Sequence, residues 1–131
     1  MKVVNIPLFE TKISAGFPSP ADDFVDTKLD LNDHLVHHPA ATFFLRVGGD
    51  SMIGAGIFDG DLLIVDRSIE KFNKAVIIAV LNGEMMVKRI IFRGKSFILA
   101  PENPEYKSVE VTEDMDFSVW GVVTAVIHKM L

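Results

Sequence analysis

The sequence predicts a mainly β domain of short antiparallel strands, barrel- or sandwich-like, preceded by an extended N-terminal arm. Three observations carry this. From Thr42 onward, short apolar and β-branched runs recur between Gly, Asn, Asp and Pro, the strand-and-turn rhythm of an all-β fold. Asn82-Gly83 stands between two such runs; it is the strongest short-range hairpin signal, because its turn needs positive φ at both positions. The first thirty residues have a different texture, an apolar opening broken by Pro7 and then the small, proline-punctuated Ser14-Ala15-Gly16-Phe17-Pro18-Ser19-Pro20.

Two segments follow, residues 1–30 as a mobile arm and 31–131 as a β-rich domain. Within the arm, prolines hold the backbone away from helix and strand ladders. An extended stretch with small residues at Ala15-Gly16 is what a protease cleft accepts. A short helix is expected over 31–37, capped by Asp30 or Asn32 and stopped by Pro39. Strands are expected over 43–47, 62–65, 75–81, 84–92, 96–100, 109–111 and 117–127. The last, with Trp120 and Gly121, shows no clean polar face, which makes it core, with part of it available to pair subunits.

Composition narrows the function. The chain has 131 residues, no cysteine and a net charge of −5. One domain's worth of core is available without disulfides, and thiol catalysis and cysteine metal sites are excluded. An acidic surface is a poor grip for phosphate backbones, so direct sequence-specific DNA binding is not expected. No basic-then-apolar leader opens the chain and no apolar run approaches the ~20 residues of a membrane span. The expectation is a cytoplasmic protein without a membrane anchor.

The chemistry centres on Val47 to Asp66, VGGDSMIGAGIFDGDLLIVD. It sets Ser51 on a turn, with Gly48 and Gly49 before it and Gly54 and Gly56 after it, which free the backbone and admit another chain closely. A serine nucleophile needs a base. His34, His37 and His38 read as incidental histidines of a surface helix, and His128 as structural; none is placed as a triad partner or metal ligand. Asp50, Asp59, Asp61 and Asp66 read as turn formers. The remaining base is Lys88. Side chains alternate along a strand, so Met86, Lys88 and Ile90 share one face and Val87, Arg89 and Ile91 the other. An ordinary lysine is one part in ~2,500 neutral at pH 7. Apolar walls lower its pKa and make a neutral amine available. Otherwise Lys88 is a solvated charge with its stem along apolar surface.

The combination of Gly49-Asp50-Ser51-Met52, Gly60-Asp61-Leu62-Leu63-Ile64-Val65-Asp66 and Glu84-Met85-Met86-Val87-Lys88-Arg89, with Ala15-Gly16 upstream, resembles the LexA-like self-cleaving serine peptidases, peptidase family S24, and among them the UmuD-type SOS mutagenesis proteins. Order, the 37-residue spacing from Ser51 to Lys88 and the arm make the match specific over nearly the whole chain. The resemblance implies Ser51 as nucleophile, Lys88 as general base, the Ala15–Gly16 bond as the one cut, and the backbone amides of Asp50 and Ser51 as oxyanion hole. It implies a homodimer, stimulation by RecA filaments on single-stranded DNA, and a shortened product that joins UmuC as translesion polymerase V. No cofactor or metal is implied. Ala-Gly at the cut, where the best-known member of this type has Cys-Gly, looks like the bond of LexA repressors and plasmid relatives. A LexA repressor itself is not expected, since the arm is too short for a helix-turn-helix domain. Two other readings stand beside this one: a non-enzymatic β interaction module, and a signal peptidase, which shares the dyad but normally carries a membrane anchor.

Overall fold

The computed structural model describes residues 6–9, 12–16 and 27–131. Contacts divide the chain into two compact units, Met1–His37 and His38–Leu131.

In the first unit, β1 (Ile6–Leu8) pairs antiparallel with β2 (Thr27–Leu29), Ile6 opposite Leu29 and Leu8 opposite Thr27. Pro7 therefore sits in a strand, against the expectation that it keeps this segment out of a ladder. A two-stranded ribbon has an outer edge where no N–H is required, and proline is tolerated there. The connection between these strands carries Ala15 and Gly16, both exposed. It is bent at these two residues instead of extended: the Gly16 N–H donates to Ser14 Oγ at 3.2 Å, a local serine turn. Residues 17–26, which include Pro18 and Pro20, lie outside the described residues. Helix α1 (Leu31–Leu35) is capped as expected by Asp30, whose Oδ1 accepts the Asn32 N–H at 2.9 Å. It ends earlier than expected. β-branched Val36 is already extended, and Pro39 opens a single 3₁₀ turn, Pro39–Ala41, where its missing N–H costs nothing.

The second unit is the expected mainly β domain. Its strands are β3 (Thr42–Arg46), β4 (Leu62–Asp66), β5 (Val76–Leu81), β6 (Glu84–Arg93), β7 (Ser96–Ala100), β8 (Val109–Val111) and β9 (Phe117–Ile127). They form a seven-stranded sheet in the order β3-β4-β9-β5-β6-β7-β8, and every neighbouring pair is antiparallel. Asn82 (φ 50°) and Gly83 (φ 84°) make the β5–β6 turn with both residues left-handed, the hairpin geometry that Asn-Gly favours.

Strand β9 joins the two halves of the sheet. Its first half, Phe117–Val122, pairs with β5, and its second half, Val122–Ile127, pairs with β4. One strand thus serves two half-sheets, and the register shifts at Ile64/Val65 and at Ile78/Ala79, the irregularities that let a sheet fold over itself. Two apolar clusters result. One gathers Val47, Met52, Ile57, Leu63, Val65 and Ile78; the other gathers Ile77, Ala79, Ile90, Leu99, Val111 and Val122. Adjacent Ile77 and Ile78 serve different clusters because successive side chains point to opposite faces. Gly121 lies at the crossover, where an added Cβ would come within 2.5 Å of Val65 Cγ1. Gly121→Ala is expected to destabilise the domain by about 1–3 kcal/mol through overpacking, read as a lower midpoint in urea. Among the described residues no helix is long and apolar enough to cross a membrane.

Candidate active site

Ser51 sits on the turn between β3 and the 3₁₀ turn Ile53–Ala55. Its neighbour Met52, 2 % exposed, plugs the first apolar cluster. A buried side chain next door restrains the serine, which is itself half-buried. The turn enters at Gly49, whose φ of +90° is closed to most residues and whose N–H donates to Asp59 Oδ1 at 2.7 Å. It leaves past Gly54, where a Cβ would meet the Glu102 carbonyl oxygen at 2.6 Å. That is the close backbone approach expected of these glycines, made by the chain's own loop. Gly48 has open space around it and no left-handed φ, so nothing in the structure requires glycine there.

Lys88 reaches Ser51 from β6. The Nζ–Oγ distance is 2.8 Å. Lys88 lies opposite Ile77 in the β5–β6 ladder, on the face it shares with Ile90, and both isoleucines are fully buried. The half-buried amine loses solvation there, and burial pushes its pKa below that of an ordinary lysine. The charged amine donates to the serine oxygen. Once deprotonated, it can instead accept the serine proton. A cleft of about 260 Å³ is lined by Leu45, Arg46, Val47, Leu63, Ile78, Met86 and Val87; neither Ser51 nor Lys88 lines it.

The other titratable groups go elsewhere. His38 Nδ1 meets Asp66 Oδ2 at 2.6 Å and His128 Nδ1 meets Asp61 Oδ1 at 2.5 Å. Neither pair includes Ser51. Both aspartates are turn formers, accepting from the Ser68 and Phe58 N–H groups, yet both are also buried, which the sequence did not show. Burial alone would raise their pKa values. For Asp66, hydrogen bonds from Ser68 and His38 and the histidine's charge outweigh burial and hold it at about 2; for Asp61, the Phe58 N–H and His128 do the same in direction. Among the described residues no three His, Asp or Glu side chains gather as metal ligands. Ala15 and Gly16 lie in the first unit. Among the described residues, the N–H groups of Asp50 and Ser51 donate to no partner. Sequence reasoning missed the loop over 101–106 as part of the site. Its Glu102 N–H donates to the Ser51 carbonyl at 2.8 Å.

A serine on a braced turn with a partly desolvated lysine amine on its oxygen is an arrangement that serine peptidase chemistry can use. The chain belongs to the Peptidase S24-like family, whose sequence profile matches residues 7–124. It is 43 % identical over 125 residues to Protein ImpA of Salmonella typhimurium, covering 94 % of this chain and 83 % of that protein. Protein MucA of Escherichia coli is 40 % identical over 124 residues, 94 % of this chain and 84 % of its own length. LexA repressor 2 of Pseudomonas syringae pv. tomato is 36 % identical over 128 residues, 98 % of this chain and 62 % of the repressor. The family and these LexA-like relatives make the general class a self-cleaving serine peptidase.

Proposed function

We propose that Ser51 and Lys88 are a catalytic dyad that cuts the chain's own Ala15–Gly16 bond. The observation that carries this is the 2.8 Å contact between a partly desolvated lysine amine and a serine on a turn where, among the described residues, the Asp50 and Ser51 amides have no partner. Neutral Lys88 takes the proton from Ser51 Oγ as the oxygen attacks the Ala15 carbonyl carbon. The N–H groups of Asp50 and Ser51 receive the oxyanion. The proton passes to the Gly16 nitrogen, the C–N bond breaks, and Gly16 becomes the new amino terminus while residues 1–15 stay on Ser51 as an ester. Water, deprotonated by Lys88, then releases Ala15 from the serine ester. The bend at Ala15-Gly16, closed by the Gly16 N–H to Ser14, opens to give the extended backbone that a protease cleft accepts. Since the substrate is tethered, weak contacts suffice for specificity.

The same reading makes residues 1–30 the arm and 31–131 the peptidase domain of a cytoplasmic homodimer. Cleavage is stimulated by RecA filaments on single-stranded DNA during the SOS response, and the shortened chain serves UmuC in translesion synthesis. Likeness to the UmuD-type proteins supports these partners. The test is to incubate the full-length protein at neutral pH with RecA, ATP and single-stranded DNA and to measure intact mass. Loss of residues 1–15 only when all three are present is expected. A chain that stays whole with the filament, yet cuts itself at alkaline pH, removes RecA from the account and leaves the dyad.

A further inference from the structure

The loop after β7 holds the nucleophile turn at several points. Asn103, 8 % exposed, is its centre. Its Nδ2 donates to the Asp50 carbonyl at 2.9 Å, and its Oδ1 accepts the Glu105 N–H at 3.0 Å. The Gly54 N–H donates to the Glu102 carbonyl at 2.7 Å, and the Tyr106 hydroxyl donates to Asp50 Oδ1 at 2.5 Å.

The Asn103 bond does more than brace. A trans peptide unit is planar, with its C=O and N–H pointing in opposite directions, and no described peptide is cis. Pinning the Asp50 carbonyl therefore fixes the direction of the N–H in the same unit, which is that of Ser51. Among the described residues this N–H has no partner. A fixed, unoccupied donor on the nucleophile's own amide is what a developing oxyanion needs, because nothing then has to reorganise during reaction.

We propose that Asn103 is a positioning residue for self-cleavage: by holding the Asp50 carbonyl it aims the Ser51 N–H at the oxyanion, with Tyr106 bracing the Asp50 side chain. This rests on the reading of Ser51 and Lys88 as the dyad. The two ends of the Asn103 amide do different work, so they can be separated. Asn103→Asp keeps an oxygen for the Glu105 N–H and loses the donor to Asp50. Asn103→Ser also keeps an acceptor for its own loop, is too short to reach Asp50, and adds no charge.

The experiment is the rate of self-cleavage of the full-length wild type and both variants from pH 7 to 11, with thermal melting of each. Both variants are expected to lose about a hundredfold at the alkaline plateau, and Asn103→Ser to keep the wild-type midpoint, since Lys88 is untouched. A residue that merely shapes its loop would leave the plateau unchanged. Should Asn103→Asp fail to fold, Asn103→Ser decides. A folded variant that cuts within about threefold of wild type overturns the inference alone, as does a loss explained by a shifted midpoint. Wild type that stays whole at every pH overturns the dyad and this inference together.

Discussion

Lys88→Arg is expected to stop self-cleavage at every pH from 7 to 11, by at least about a thousandfold. Arginine keeps a positive charge and a long stem in the same place, so it tests the proton-accepting role apart from electrostatics. Its guanidinium does not lose a proton in this range, and among the described residues no other side chain is bonded to Ser51 Oγ to serve as base. The other candidates are committed: His38 to Asp66, His128 to Asp61. Lys88→Ala is expected to fail equally, for want of the amine. Both variants should stay folded, since Ile77 and Ile90 still pack beneath the site and a half-buried charge contributes little to stability. The measurement is the fraction of full-length chain over time, by intact mass, beside a melting curve. Cleavage by Lys88→Arg near the wild-type rate would require another base.

The wild-type rate is expected to climb with pH, about tenfold per unit, and then to level off at a midpoint below that of an ordinary lysine. The sign follows from the chemistry. A lysine acting as general base does so only when neutral, and burial displaces the titration of Lys88 downward by penalising the ammonium form. Raising the pH therefore increases the active fraction until the amine is fully deprotonated. A flat profile from pH 7 to 10 would show that lysine protonation does not limit the reaction. A midpoint above that of free lysine would contradict the desolvated site.

Local signals explain what was legible in the sequence. Strands β7, β8 and β9 run over the residues expected, and the Asn82-Gly83 turn has both left-handed φ values, because alternation and turn chemistry are written in consecutive residues. Lys88 lies between Met86 and Ile90, and that spacing already set it on the face of buried Ile90. Non-local partnerships were not legible. His38 finds Asp66 from 28 residues away and His128 finds Asp61 from 67, separations that no periodicity encodes. Asn103 looks like any loop residue until the fold brings it to Asp50, 53 residues earlier. The missing N–H of Pro7 is visible in sequence and marks a breaker, whereas the free edge that tolerates it is not visible there. Strand β9 lacks a polar face because it serves two half-sheets, and no single face pattern fits such a strand.

Intact mass of the full-length wild type beside Ser51→Ala, incubated at pH 10 without any partner, tests the central claim most directly. The dyad predicts that the wild type alone separates into residues 1–15 and a chain beginning at Gly16, while Ser51→Ala stays whole. A wild type that remains intact, or a Ser51→Ala chain cut at the same bond, would contradict it and favour a β interaction module in which Ser51 is a turn residue.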